Sequence, residues 1–129
     1  MEASALTHTD DLVAELQTQR TRTLALISHL SEADLERVVD PIMSPLVWDL
    51  GHIAAYEDLW LNHRFAQLPL LHPELAAFYD AFETPRKVRG RIEILGRADA
   101  LDYLAQVRER LLNAAACLGT DPARHELVL

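Results

Sequence analysis

A single cysteine, Cys117, occurs in 129 residues, so no internal disulfide can form and nothing points to an oxidising compartment. Basic residues are also scarce. Twelve Lys and Arg stand against twenty Asp and Glu, a net charge of −8, which argues against general affinity for nucleic acid phosphates. Apolar runs stay short of the roughly 20 residues a membrane span needs. The start, Met1-Glu2-Ala3-Ser4, lacks the basic and then apolar pattern of a signal peptide. The expectation is a cytoplasmic protein with neither nucleic acid nor membrane among its partners. Equally missing are a Gly-rich phosphate loop, a Ser-His-Asp pattern, a Cys-x-x-Cys pair, an alternating strand signal and any internal repeat.

What remains is helical periodicity in a chain of one-domain size, half hydrophobic and one quarter charged. Thr9 can cap a first helix, with Asp10 and Asp11 in its first turn. Leu12, Leu16, Leu24, Ile27 and Leu30 then keep one face apolar to about residue 29 or 30. Ser31 with Asp34 resembles a capping signal for a short turn that ends at Asp40-Pro41. Ser44 as cap and Pro45 at the first helical position predict a second long helix to about Arg64. It carries Leu46, Leu50, Ile53, Trp60 and Leu61 on one face and Trp48, Ala55 and Leu59 on the other. A helix apolar on two faces belongs at the centre of a bundle.

Residues 74–82 read as a short helix carrying Leu75, Phe78, Tyr79 and Phe82, and 86–96 as an ordered loop. A third long helix begins near Ala98, with Leu101, Leu104, Val107, Leu111, Ala115 and Leu118 on its apolar face and Gly119 as its stop. Thr120, Asp121 and Pro122 then look like a new helix start leading into His125 and Leu129. The expected fold is therefore all-α, with three long helices and a fourth barely begun, forming one domain over 1–129 that is incomplete at its C-terminus. Three helices leave an apolar groove, and a fourth helix or a second copy would close it.

Chemistry concentrates on the middle helix. Asp49, His52, Tyr56 and His63 share a narrow strip at the edge of its apolar face, the position from which helical bundles build metal sites. From spacing, His52 reads as a hydrogen-bonded boundary histidine or a ligand, and Asp49 as its orienting carboxylate or a solvated acid. No pair of histidines at i and i+4 is present. Arg86, Lys87, Arg89 and Arg91 form the one basic concentration, suited either to capture a small carboxylate or to balance nearby acids.

The run Met43-Ser44-Pro45-Leu46-Val47-Trp48-Asp49-Leu50-Gly51-His52, continuing through Tyr56, Glu57 and Trp60, resembles the N-terminal DinB-like domain of ergothioneine-biosynthesis sulfoxide synthases. Tyr79-Asp80-Ala81-Phe82, Pro85-Arg86, Arg89, Tyr103 and Val107-Arg108 extend the resemblance. It implies a non-haem iron(II) enzyme that uses oxygen to join a cysteine-containing thiol, often γ-glutamylcysteine, to hercynine. On that basis His52 is the first of three histidine ligands, with Asp49 and Tyr56 beside it, and Arg86 and Arg89 hold carboxylates of the thiol. The other two ligands lie in a His-x-x-x-His helix that the sequence does not reach, and His125 is not one of them. A C-terminal domain related to formylglycine-generating enzymes closes the family's active site, so the chain alone is expected to be inactive. A DinB-like thiol-dependent transferase or isomerase, and a non-catalytic dimerising bundle, are the rival readings.

Overall fold

The computed structural model describes residues 2–38, 43–89 and 94–118. Among them there is no strand, and the helices α1 (Glu2–Ile27), α2 (Glu32–Glu36), α3 (Leu46–Glu57) and α4 (Arg97–Leu118) follow in order. The all-α expectation is met. The Thr120 helix start, the Gly119 stop and His125 lie outside the described residues.

Core formation follows the periodicity of α3 and α4. Val47, Trp48, Leu50, Ala54 and Ala55 pack with Ala100, Tyr103, Leu104 and Val107, and Leu35 of α2 and Tyr79 join them. The middle helix is indeed central, packing on both α4 and α2. Its expected apolar face is only partly inside, because Leu46 and Trp60 remain about half exposed. Past Glu57 the helix widens into a π-type segment, Asp58–Phe65, which changes the register of everything after it.

α1 departs furthest from expectation. It starts at Glu2, so Thr9 lies inside the helix rather than capping it. None of the residues 10–27 is fully buried. Polar bonds from α1 reach the bundle instead: Arg20 Nη1 donates to the Leu104 carbonyl (3.1 Å) and Nη2 to Glu57 Oε1 (2.8 Å). Arg108 joins the same carboxylate through Nε and Nη2 (3.1 and 2.7 Å) and donates through Nη1 to Gln17 Oε1 (2.6 Å). Glu57 thus ties α1, α3 and α4 together. A groove of about 600 Å³ stays open between α1 and α4, with Leu24, Ile27, Leu101 and Leu104 along it.

The caps decide how α2 and α3 begin. Ser31 and Asp34 form a capping box, Ser31 Oγ accepting from the Asp34 amide (3.1 Å) and Asp34 Oδ2 from the Ser31 amide (3.2 Å). For α3, Pro45 and not Ser44 is the cap, its carbonyl accepting from the Trp48 amide (3.0 Å). Ser44 is occupied otherwise, since its Oγ accepts from Arg89 Nη1 (2.8 Å).

Between the long helices, the expected helix at 74–82 is reduced to a tight turn, Pro73–Leu75, followed by irregular turns. Carbonyls that a helix would use internally are taken by side chains: Ala77 by Thr84 Oγ1, Phe78 by Trp48 Nε1, Tyr79 by His52 and Ala81 by Arg89. Asp58 pins the start of this connector, accepting from the Leu71 amide (2.7 Å), from Asn62 Nδ2 (3.0 Å) and from Arg110.

Candidate functional site

Trp48, His52 and Tyr56 succeed one another at i, i+4 and i+8 along α3, so helix geometry stacks them on one side. The rings confirm it. Trp48 and His52 lie nearly parallel, centroids 4.9 Å apart, and His52 and Tyr56 are 4.1 Å apart at 45°. Arg89 closes the other end, its guanidinium 3.7 Å from the Trp48 ring centroid, a cation–π contact made in a largely desolvated setting.

Among the described residues His52 makes one hydrogen bond. Its Nδ1 meets the Tyr79 carbonyl at 2.6 Å, and a carbonyl can only accept, so Nδ1 carries a proton, and in the neutral ring Nε2 is left with its lone pair. Nε2 has no partner among the described residues. An imidazole with one nitrogen bonded to a main-chain carbonyl and the other open is the arrangement metal-bound histidines adopt. The donor set goes no further, because no group of three His, Cys, Asp or Glu suited to a metal is found among the described residues. One ligand fits; a complete site requires others.

Asp49 lies half-buried one turn before His52. Burial pushes its carboxyl above the ordinary range, opposed by the neighbouring His52, Arg89 and Arg86. No hydrogen bond joins Asp49 to the imidazole; the Tyr79 carbonyl occupies the orienting position that spacing suggested for Asp49. Tyr56 touches His52 through its ring face. His63, the last member of the predicted strip, has left it: it sits exposed on the widened segment with Nδ1 bonded to the Leu68 carbonyl (2.8 Å).

The two arginines separate. Arg89 is 6% exposed and commits three of its five N–H donors, Nε to Thr84 O, Nη1 to Ser44 Oγ and Nη2 to Ala81 O. Among the described residues no further acceptor meets Arg89, so one N–H on each Nη is without a partner there. Burial lowers the Arg89 pKa, with Arg86 adding to the effect and Asp49 opposing it. Arg86 is exposed in the turn Arg86–Val88. The side chain of Lys87 and the whole of Arg91 lie outside what is described.

Two participants were not apparent from the residue pattern: the Tyr79 carbonyl and Gly51. A main-chain acceptor has no side-chain signature. Gly51 did leave one, since a glycine inside a good helix costs about 1 kcal/mol relative to alanine and asks for a reason.

A helical bundle with a histidine-centred polar seam on its middle helix defines a class, and the chain matches the DinB superfamily over residues 11–126. It belongs to that superfamily. Among curated proteins it is 41% identical over 123 residues to hercynine oxygenase of Mycolicibacterium thermoresistibile, covering 94% of this chain and 27% of that protein. It is 42% identical over 118 residues to hercynine oxygenase of Mycobacterium tuberculosis (90% and 28%) and 40% identical over 114 residues to that of Mycolicibacterium smegmatis (87% and 26%). The chain therefore spans about a quarter of the length of these relatives.

Proposed function

We propose that this chain is the ligand-bearing helical domain of a cytoplasmic iron(II)-dependent sulfoxide synthase. The complete protein would join a cysteine-containing thiol such as γ-glutamylcysteine to hercynine with oxygen. The observation that carries this reading is 40–42% identity to proteins named hercynine oxygenase over nearly the whole chain. The open Nε2 of His52, with Nδ1 held by Tyr79, supports it independently.

In this reading His52 holds the metal, which when bound supplies the oxygen activation. Two further histidines come from a His-x-x-x-His helix, the fourth long helix of the bundle after α1, α3 and α4, and a formylglycine-generating-enzyme-like domain of the same polypeptide completes the active site. Arg86, with the spare N–H donors of Arg89, binds carboxylates of the thiol, while Asp49 and Tyr56 flank the imidazole. The domain by itself, with one histidine ligand, is inactive.

The test is an assay of the complete natural gene product, loaded with iron(II), on hercynine, γ-glutamylcysteine and oxygen, with the product identified by mass. Formation of the coupled sulfoxide supports the proposal, and Arg86→Ala should raise the KM for the thiol about tenfold or more while leaving that for hercynine unchanged. An iron-loaded protein that forms no carbon–sulfur bond overturns it.

A further inference from the structure

His52 is useful as a ligand only in one tautomer, and the residue beside it controls the space needed to fix that tautomer. A Cβ at Gly51 would lie 2.8 Å from Tyr79 Cδ1 and closer still to Cε1 and Cζ. The Tyr79 ring therefore rests on bare helix backbone, where any side chain would displace it. Tyr79 is completely buried, so the ring has no alternative seat on the surface.

Two more bonds hold the same segment. Trp48 Nε1 donates to the Phe78 carbonyl at 2.8 Å, and the Leu95 amide donates to Tyr79 Oη at 2.9 Å. The tyrosine is thus anchored at its ring face, at its hydroxyl and through the preceding carbonyl, and its own carbonyl is left aimed at His52 Nδ1, 2.6 Å away. A pure packing role would call for a buried ring and a partner for its hydroxyl; it would not call for the short carbonyl contact to His52.

We infer that Gly51 and Tyr79 are positioning residues, which select the Nδ1–H tautomer of His52 and thereby present Nε2 to a metal. The inference rests on the metal-ligand reading of His52 given above. It assigns the helix-interior glycine a role in ligation rather than in helix packing alone, and it makes a loop carbonyl the partner that metal-bound histidines take from a neighbouring group.

Two readouts test it in the complete protein. The first is the ring-nitrogen signals of ¹⁵N-labelled histidine in the metal-free state, which distinguish Nδ1–H from Nε2–H. The second is the iron(II) dissociation constant. Wild type should show the Nδ1–H pattern for His52. Gly51→Ala should convert it to a mixture and weaken iron binding about 10- to 100-fold. Tyr79→Phe keeps the ring and the carbonyl and loses only the tether to Leu95, so it should fold, shift part of the population to Nε2–H and weaken iron binding within about tenfold. If Gly51→Ala does not fold, Tyr79→Phe decides. Retention of both the Nδ1–H pattern and wild-type iron affinity in the folded variants, while His52→Ala loses iron, overturns the positioning inference and leaves the ligand reading standing. Wild-type iron binding by His52→Ala overturns the ligand reading itself.

Discussion

Asp49 shows how a residue one turn from His52 can work against stability. Its carboxyl is raised mainly by burial, so the folded state holds the proton more tightly than the unfolded chain does. Stability then falls as pH rises from about 3.9, the unfolded value, through the raised folded value, and levels off above it. Asp49→Asn removes this penalty. The variant should unfold slightly later than wild type at pH 7, by no more than about 1 kcal/mol given its partial exposure, and the two should converge near pH 3. Thermal unfolding at both pH values checks this; a less stable variant at pH 7 would mean that the pull of Arg89 and Arg86 outweighs burial. At this scale the strip of Asp49, His52 and Tyr56 was legible because spacings of three and four place side chains together on any helix. The stacking of Arg89 on Trp48 and the Tyr79 carbonyl at His52 were not, since both join segments far apart in sequence.

Among the elements, the three-way clamp at Glu57 has the largest energetic stake. One carboxylate serves two guanidinium groups, Arg20 and Arg108, all three nearly buried, and burial lowers the Arg20 pKa although Glu57 opposes the shift. Glu57→Ala leaves two buried cations facing each other and should destabilise by about 3–5 kcal/mol in urea unfolding, while a combined Glu57→Leu and Arg108→Met exchange should cost far less. Equal losses in the two would place the effect in packing rather than charge. The end of the widened helix carries a second, smaller strain: Gln67 sits at φ 61°, a left-handed position that suits glycine. Gln67→Gly should raise stability by up to about 1 kcal/mol, visible as a higher urea midpoint with an unchanged slope.

α3 and α4 could be read from sequence because their apolar residues recur with the helical period, which the one interior glycine of α3, Gly51, does not interrupt. The α2 capping box was equally plain, Ser31 and Asp34 standing three apart. The segment at 74–82 misled because its apolar residues mimic helical spacing, whereas its carbonyls are spoken for by Trp48, His52, Thr84 and Arg89. Tertiary hydrogen bonds outweighed a weak local preference there. At α1 the Thr9 signal failed because Ala3, Ala5 and Leu6 continue the helix at no cost in propensity.

Across the whole molecule, the described helices form an unevenly closed bundle. α3 and α4 share a continuous core, whereas α1 is held by Arg20, Gln17 and a few half-buried aliphatics beside the open groove. In this 129-residue chain the amides of α1 should exchange with solvent well before those of α3 and α4; equal protection would mean that the polar bonds suffice to integrate it. Phe82, 91% exposed, and Phe78 add apolar surface near the Arg86 turn. No described helix is long and apolar enough to cross a membrane. The relatives are nearly four times as long as the chain's share of them.

Iron(II) titration of the complete protein, with wild type and His52→Ala compared side by side under anaerobic conditions, addresses the central assignment directly. One iron bound per protein in wild type, and a loss of affinity of at least about 100-fold in His52→Ala with the fold intact, is the expected result. Equal iron binding by the two proteins, or none by either, would contradict the assignment of His52 as a metal ligand.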